Sequence, residues 1–180
     1  MFDRIKATIV FVPTLIWNML LGRWLKVRNW WDRIDDTLIV GAMPFARDVP
    51  KLAGEGVTCV VNTCAEYEGP VDAYEETGIV QLRVPTVDFT HPSLEHVTAA
   101  VDFIRQQTAA GGTVYVHCKA GRARSATVAI CWLIENQKLT PQDAQALLLK
   151  QRPHVNRYVY ARPVVKQFHQ NQQQARNTDA

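Results

Sequence analysis

Residues 113–134 place the tightest constraint on this chain of 180 residues. An apolar, β-branched run from Thr113 to Val116 enters His117-Cys118-Lys119-Ala120-Gly121-Arg122-Ala123-Arg124-Ser125-Ala126-Thr127. That stretch leads into an apolar helical pattern from Val128 to Ile134. Five residues separate Cys118 from Arg124, so a short turn must join a strand to a helix. Its backbone N–H groups can wrap inward as an anion nest, to which the helix adds the positive end of its dipole. Gly121 supplies the backbone freedom for so sharp a turn. Arg124, in the first helical turn, presents a planar fork that matches two phosphate oxygens. The same field depresses the pKa of Cys118, so that a thiolate is present to attack phosphorus. Ser125 can donate a hydrogen bond to that sulfur. His117 precedes the nucleophile on the strand and is expected to order the loop rather than to act as a base. Lys119, Ala120, Gly121, Arg122 and Ala123 complete the candidate phosphate-binding set, and Lys119 and Arg122 add two positive charges. A phosphotyrosine needs one phosphate neutralised, so the extra charge, Arg122 above all, suits an anionic lipid headgroup with a second phosphate; simple solvation of either side chain is the alternative. A cysteine and an arginine at this spacing alone would be weak evidence. The His, the Gly, the Ser and the strand–loop–helix context make the pattern specific, and they argue against a sulfurtransferase loop.

The rest of the chain alternates strands and helices. Short apolar or β-branched runs at 37–41, 57–62, 79–84 and 113–117 read as strands, with Pro85 closing the third. Helices are expected at 49–55, 71–77, 93–107, 124–137, 142–151 and 163–170, with Ser93 and Thr140 as N-caps and Pro141 at the first helical position. This order implies an α/β, three-layer fold with a central, largely parallel mixed sheet of about four or five strands flanked by helices. Ligands in such folds sit at the carboxyl ends of the strands, and Cys118 follows the last strand. The length suits one catalytic domain, residues 34–170, with a core of its own.

A leaving alkoxide needs a proton, and the acid must stand on a separate loop. Asp88, in Thr86-Val87-Asp88-Phe89-Thr90, is the candidate general acid. It lies just past a strand end beside apolar residues that would raise its pKa. Asp72 and Asp102 fall on expected helix surfaces. The four cysteines and five histidines show no metal-ligand spacing, so neither a metal nor another cofactor is expected. Cys59 and Cys131 read as buried small hydrophobes.

Charge is unevenly spread. Residues 1–33 hold six Lys/Arg against two Asp, residues 34–149 eight against fourteen acids, and residues 150–180 six against one. Basic ends on an acidic body suit an anionic surface. From Ala7 to Leu21 the chain is uncharged but too short, and broken by Pro13, to span a bilayer. Trp17, Trp24, Trp30 and Trp31 alternate with Arg23, Lys26 and Arg28, as a membrane interface favours. Residues 1–33 are therefore expected to associate with a membrane surface, a core helix packed on the domain being the alternative. No nucleic-acid partner is expected. Residues 171–180 read as a polar tail. Oligomeric state is not encoded in any pattern.

HCKAGRARSAT with an upstream aspartate loop resembles the dual-specificity branch of the protein tyrosine phosphatases. FVPTLIWNMLLGRW, RIDDTLIVGAMP, AEYEG and PTVDFTHPS, in that order, are similar to the mitochondrial lipid-phosphatase subfamily that acts on phosphatidylglycerophosphate. The resemblance implies a phosphocysteine at Cys118, phosphoryl binding by Arg124 and acid catalysis by Asp88. It also places Glu66, Tyr67 and Glu68 on a substrate-binding loop, with Ala65 where that family carries a further Glu. It implies phosphatidylglycerol formation on the route to cardiolipin. The setting would be the matrix face of the mitochondrial inner membrane, or the cytoplasmic face of the inner membrane in a bacterium. A dual-specificity protein phosphatase, a phosphoinositide phosphatase and an inactive phosphate-binding adaptor are the alternative readings.

Overall fold

In the computed structural model, which describes residues 12–178, a five-stranded sheet runs in the order β1-β2-β5-β3-β4. The strands are β1 (Trp31–Arg33), β2 (Leu38–Gly41), β3 (Val57–Cys64), β4 (Val80–Thr86) and β5 (Thr113–His117). β2, β5, β3 and β4 are parallel, and β1 is antiparallel to β2. The α/β architecture with a mostly parallel mixed sheet is the one the alternating pattern implies. Helices α2 (Val49–Gly54) and α3 (Val71–Thr77) cover one face, and α4 (Leu94–Ala109), α5 (Arg124–Asn136), α6 (Pro141–Gln151) and α7 (Pro163–Thr178) cover the other. Strand alternation sorts the cores. Leu38, Val40, Val61, Val114 and Val116 point to the α4–α7 side, whereas Ile39, Val60 and Tyr115 point to α2 and α3. Helix α5 runs through the centre of the larger layer, and every residue from Arg124 to Ile134 is buried.

Three features differ from the sequence reading, each for a physical reason. Strand β1 is three residues long, and its pairing of Trp31 with Gly41 is tertiary, so no local periodicity announces it. Strand β4 continues through Pro85 to Thr86 because it is an edge strand, where a missing N–H costs no ladder bond. Residues 171–178, expected as a polar tail, extend α7. Gln172 donates to Glu135 and Arg176 to the Ile134 carbonyl, which ties the last turns to α5.

From residue 12 onward the N-terminal segment lies against the sheet's carboxyl end, and residues 1–11 of the stretch expected at a membrane fall outside the described residues. Helix α1, described over residues 12–19, passes into a π-helical turn at Leu20–Trp24. Arg23 forms a two-pronged ion pair with buried Asp48 and lies 4.3 Å over the Trp30 ring. Asn18 is buried, while Ile16, Trp17, Trp24, Leu25 and Val27 are exposed. No helix among the described residues is long and apolar enough to cross a membrane.

Candidate active site

The loop 118–123 takes its shape from where its carbonyls go. The Lys119 carbonyl accepts from Asn18 Nδ2 and the Met43 N–H, both at 3.4 Å. Those of Ala120 and Gly121 accept from Arg152, at 3.4 and 2.8 Å. Arg122 accepts from the Asn156 N–H at 2.9 Å, and Ala123 from the Thr127 N–H at 3.0 Å and Arg162 Nη1 at 3.2 Å. With five successive carbonyls engaged by the scaffold, the amides turn inward. Those of Arg122 and Ser125 point at the Cys118 sulfur. The result is a nest of donors closed by the N-terminus of α5.

Gly121 sits at φ +65°, and a side chain there would run into the backbone of Gly41 and the guanidinium of Arg152. Gly41 in turn has no room for a Cβ beside Tyr115 and Trp31. Two glycines from different strand ends therefore let β2 and the loop touch. Sequence reasoning found the first and missed the second, because its need arises from packing.

Cys118 is buried at the base of the nest. Burial alone would push its thiol up. Arg124, the Ser125 hydroxyl at 3.3 Å and the two amides outweigh burial and bring the pKa down to about 6. At neutral pH the thiolate dominates. His117 is fully buried and stays neutral, its pKa held at about 3 by burial and by Arg124. Its ring stacks on Tyr115 at 5.7 Å, and its carbonyl accepts from Thr63. It braces the strand end, as its position implies.

Arg124 is 2% exposed, and its orientation is fixed from three sides. Nη1 donates to Glu66 Oε2 at 2.8 Å and to the Thr86 carbonyl at 2.7 Å, and Nη2 lies 3.0 Å from Asp88 Oδ1. Burial opposes its charge, but Cys118, Cys64 and Asp88 hold the guanidinium protonated. Glu66 also accepts the Asp88 N–H at 2.6 Å through its other oxygen. One carboxylate thus ties the arginine to the aspartate loop.

Asp88 reaches the nest from the β4 end and pairs with Lys119 as well as Arg124. Of the apolar neighbours expected beside it, Phe89 lines the same cavity. Phe89 takes φ +64°, a strained value for a residue with a side chain, which throws its ring out to 72% exposure. The Asp88 carboxylate faces cations instead. Lys119 bridges the walls, pairing with Asp88, donating to Thr14 Oγ1 on α1 at 2.6 Å and lying 5.3 Å over the Phe89 ring.

These groups open onto a cavity of about 440 Å³, the size of a small-ligand site rather than of a bare phosphate site. Cys118, Lys119, Ala120, Arg122, Ala123 and Arg124 line it together with Asp88. Gly121 packs behind the loop, and Ser125 sits beneath the sulfur. Thr14, Trp17, Asn18 and Arg28 form a further wall. Glu66, Tyr67 and Glu68, expected at the substrate, all stand apart from the lining, and Glu66 reaches the site only through Arg124 and the Asp88 N–H. The Tyr67 hydroxyl donates to the Pro44 carbonyl at 2.6 Å, and Glu68 pairs with Arg83 while remaining exposed. At Ala65 the backbone N–H donates to Thr86, so the loop is anchored whatever side chain stands there. Arg152 is the main residue the sequence concealed. It is fully buried, pairs with Asp32 and holds two loop carbonyls.

Comparison with known proteins matches residues 38–170 to the dual specificity phosphatase catalytic domain. Phosphatidylglycerophosphate phosphatase PTPMT2 of Arabidopsis thaliana is 40% identical over 163 residues, 89% of this chain and 72% of that protein. Phosphatidylglycerophosphatase and protein-tyrosine phosphatase 1 of Homo sapiens is 35% identical over 176 residues, covering 91% of this chain and 86% of that one. The crystal structure of PTPMT1 in complex with PI(5)P superposes with a TM-score of 0.76 at 34% identity, covering 82% of this chain and 99% of that chain. A nucleophile loop of this geometry and these matches lead to one assignment: the chain belongs to the dual-specificity phosphatase family and is a phosphoric monoester hydrolase.

Proposed function

We propose that this phosphatase removes the terminal phosphate of phosphatidylglycerophosphate, releasing phosphatidylglycerol. The observation that carries the chemistry is Cys118, a thiolate at neutral pH, at the base of an amide nest with Arg124 fixed beside it. In the first step Cys118 Sγ attacks phosphorus while Arg124 and the loop amides hold the non-bridging oxygens. The bond from phosphorus to the glycerol oxygen breaks as Asp88, in its protonated form, gives its proton to that oxygen. In the second step water attacks the phosphocysteine, Asp88 takes a proton from the water, and the sulfur leaves as thiolate. Ser125, donating to Sγ, stabilises the departing thiolate. Inorganic phosphate is the second product. A phosphate dianion entering the nest competes with Asp88 for Arg124 and Lys119, which releases the carboxyl for proton transfer. Glu66 keeps Arg124 and the aspartate loop aligned through that exchange.

The lipid assignment rests on the names of the relatives and on the wall beside the nest. Exposed Trp17, Trp24, Leu25 and Val27 flank Lys26 on one end of the molecule, and Trp17 lines the cavity itself. Aromatic and aliphatic side chains next to cations suit the interface of an anionic bilayer. The N-terminal segment would lie on that surface and bring the cavity to the headgroup. On this reading the membrane is the mitochondrial inner membrane, on its matrix side, or the cytoplasmic face of a bacterial inner membrane. The product then feeds cardiolipin synthesis.

The test is a substrate panel with purified protein in a metal chelator. Phosphatidylglycerophosphate in anionic vesicles should give the highest kcat/KM, and Cys118→Ser should abolish release of phosphate. A second reading, a phosphoinositide or phosphoprotein substrate, draws support from the PI(5)P complex of a related phosphatase. It would prevail if phosphatidylinositol 5-phosphate or a phosphopeptide outperformed phosphatidylglycerophosphate.

A further inference from the structure

Arg28 lies outside the nucleophile loop, in the stretch between α1 and β1, yet it lines the same cavity as Cys118 and Arg124. Arg122 lines it too, with its Nε held by the His154 carbonyl at 2.8 Å. The two arginines feel one another across the site. Among the described residues, Arg124, Arg152 and Arg23 each have a carboxylate partner, whereas Arg28 and Arg122 form no ion pair. The Arg28 Nε is buried without a hydrogen-bond partner among those residues. Burial and the neighbouring Arg122 and Arg152 all work against the Arg28 cation. The same positive field is felt by His154, whose pKa falls to about 3 through burial and these three arginines. Clustered cations with a buried, unpartnered donor are costly unless an anion joins them. Arg124 and the nest serve the scissile phosphate, which leaves Arg28 and Arg122 to a second anionic group in the same cavity.

We propose that Arg28 and Arg122 form a second anion subsite that receives the phosphodiester of a headgroup whose phosphomonoester lies on Cys118. The inference rests on the phosphomonoesterase reading above and extends it. It makes Arg28 a specificity residue, contributed by the N-terminal segment rather than by the catalytic loop. The site selects ligands bearing two phosphates over those bearing one.

Two short-chain lipids with the same acyl groups separate the idea from its alternatives. Dioctanoyl phosphatidylglycerophosphate carries a monoester and a diester, and dioctanoyl phosphatidic acid carries a monoester alone. With Arg28→Gln, kcat/KM on the former should fall roughly 10–100-fold, as expected for loss of a charge-assisted hydrogen bond. The loss on phosphatidic acid should be under about threefold, and Arg28→Lys should retain part of the preference. Equal losses on both lipids, or no loss on either, would overturn the subsite. A lipid-free arm keeps the question open to measurement if wild-type protein cleaves neither lipid, which would refute the proposed substrate alone. There, glycerol 1,3-bisphosphate and glycerol 3-phosphate compete with p-nitrophenyl phosphate. The bisphosphate should inhibit at least tenfold better in wild type, and Arg28→Gln should erase the difference. Equal inhibition by the two in wild type would reject the subsite. Thermal melting shows that each variant is folded.

Discussion

The cavity has two walls that are built in opposite ways. In the nucleophile loop Cys118, Lys119 and Arg124 are buried, the carbonyls are engaged from behind by Arg152, Asn156 and Arg162, and the arginine is fixed by Glu66 and Asp88. The wall made by α1 and Arg28 is half open, leaves Trp17 59% exposed and brings a cation that lacks an ion pair among the described residues. A phosphoryl transition state demands fixed donors, so the first wall is over-determined. Substrate choice needs only a complementary surface at the mouth, and the second wall supplies charge and apolar area with few internal ties. The reaction belongs to the first wall, and the selection of its substrate to the second together with Arg122 at the loop's edge.

Variants of the first wall should break chemistry on every substrate. Cys118→Ser should lower phosphate release by roughly 10⁴–10⁶-fold, in line with losses seen when a nucleophile is removed. Turnover surviving that change would place the nucleophile elsewhere. Asp88→Asn should slow hydrolysis by roughly 10²–10⁴-fold, and least for a substrate with an acidic leaving group such as p-nitrophenol. An equal loss on alkyl and aryl phosphates would remove Asp88 from the acid role.

The scaffold behind the loop gives the next effect. Arg152→Met strips Asp32 of its partner in a buried site, which costs about 3–5 kcal/mol. In a chain of this size that lowers Tm by about 6–20 °C. A melting temperature within 2 °C of wild type would show that the loop is held by other means.

Protonation of Cys118 sharpens the contrast further. Its pKa is lowered to about 6, so the reactive thiolate is present above that pH and lost as pH falls through it. Alkylation of Cys118 by iodoacetamide should reach half its plateau rate near pH 6, against about 8.5 for an ordinary cysteine. Ser125→Ala should move the midpoint upward, since it removes one of the donors to sulfur. A midpoint near 8.5 in wild type would mean that Arg124 does not offset burial.

The smallest effect belongs to the second wall. Trp24 is 71% exposed and lies away from the cavity lining. Trp24→Ser should weaken binding to vesicles rich in phosphatidylglycerol by roughly tenfold, the scale set by burying one large apolar side chain. Unchanged flotation would move the membrane contact off this segment.

Much of the first wall was legible in the sequence because it is local. Strand β5, the loop and α5 are contiguous, so Cys118, Gly121, Arg124 and Ser125 announce their geometry through spacing together with the strand–loop–helix context. Asp88 could be found because an acid must follow a strand end. What stayed hidden depends on contacts between distant segments. Gly41 matters only because β2 meets the loop, and Arg152 only because its side chain returns under residues 120 and 121. Glu66 is one of several acids until the fold brings it to Arg124. The N-terminal segment showed its aromatic and basic character in the sequence. That Asn18 would reach the Lys119 carbonyl, and that Arg28 would face the nucleophile's cavity, could not be read from composition.

The most direct test of the account is to catch the intermediate. Phosphatidylglycerophosphate is mixed with wild-type protein, quenched in acid within one turnover, digested and analysed by mass spectrometry. The account predicts a phosphate adduct on the peptide containing Cys118, formed within the first turnover and absent in Cys118→Ser. Turnover of the lipid with the adduct on another residue, or with no adduct at any time point, would contradict it.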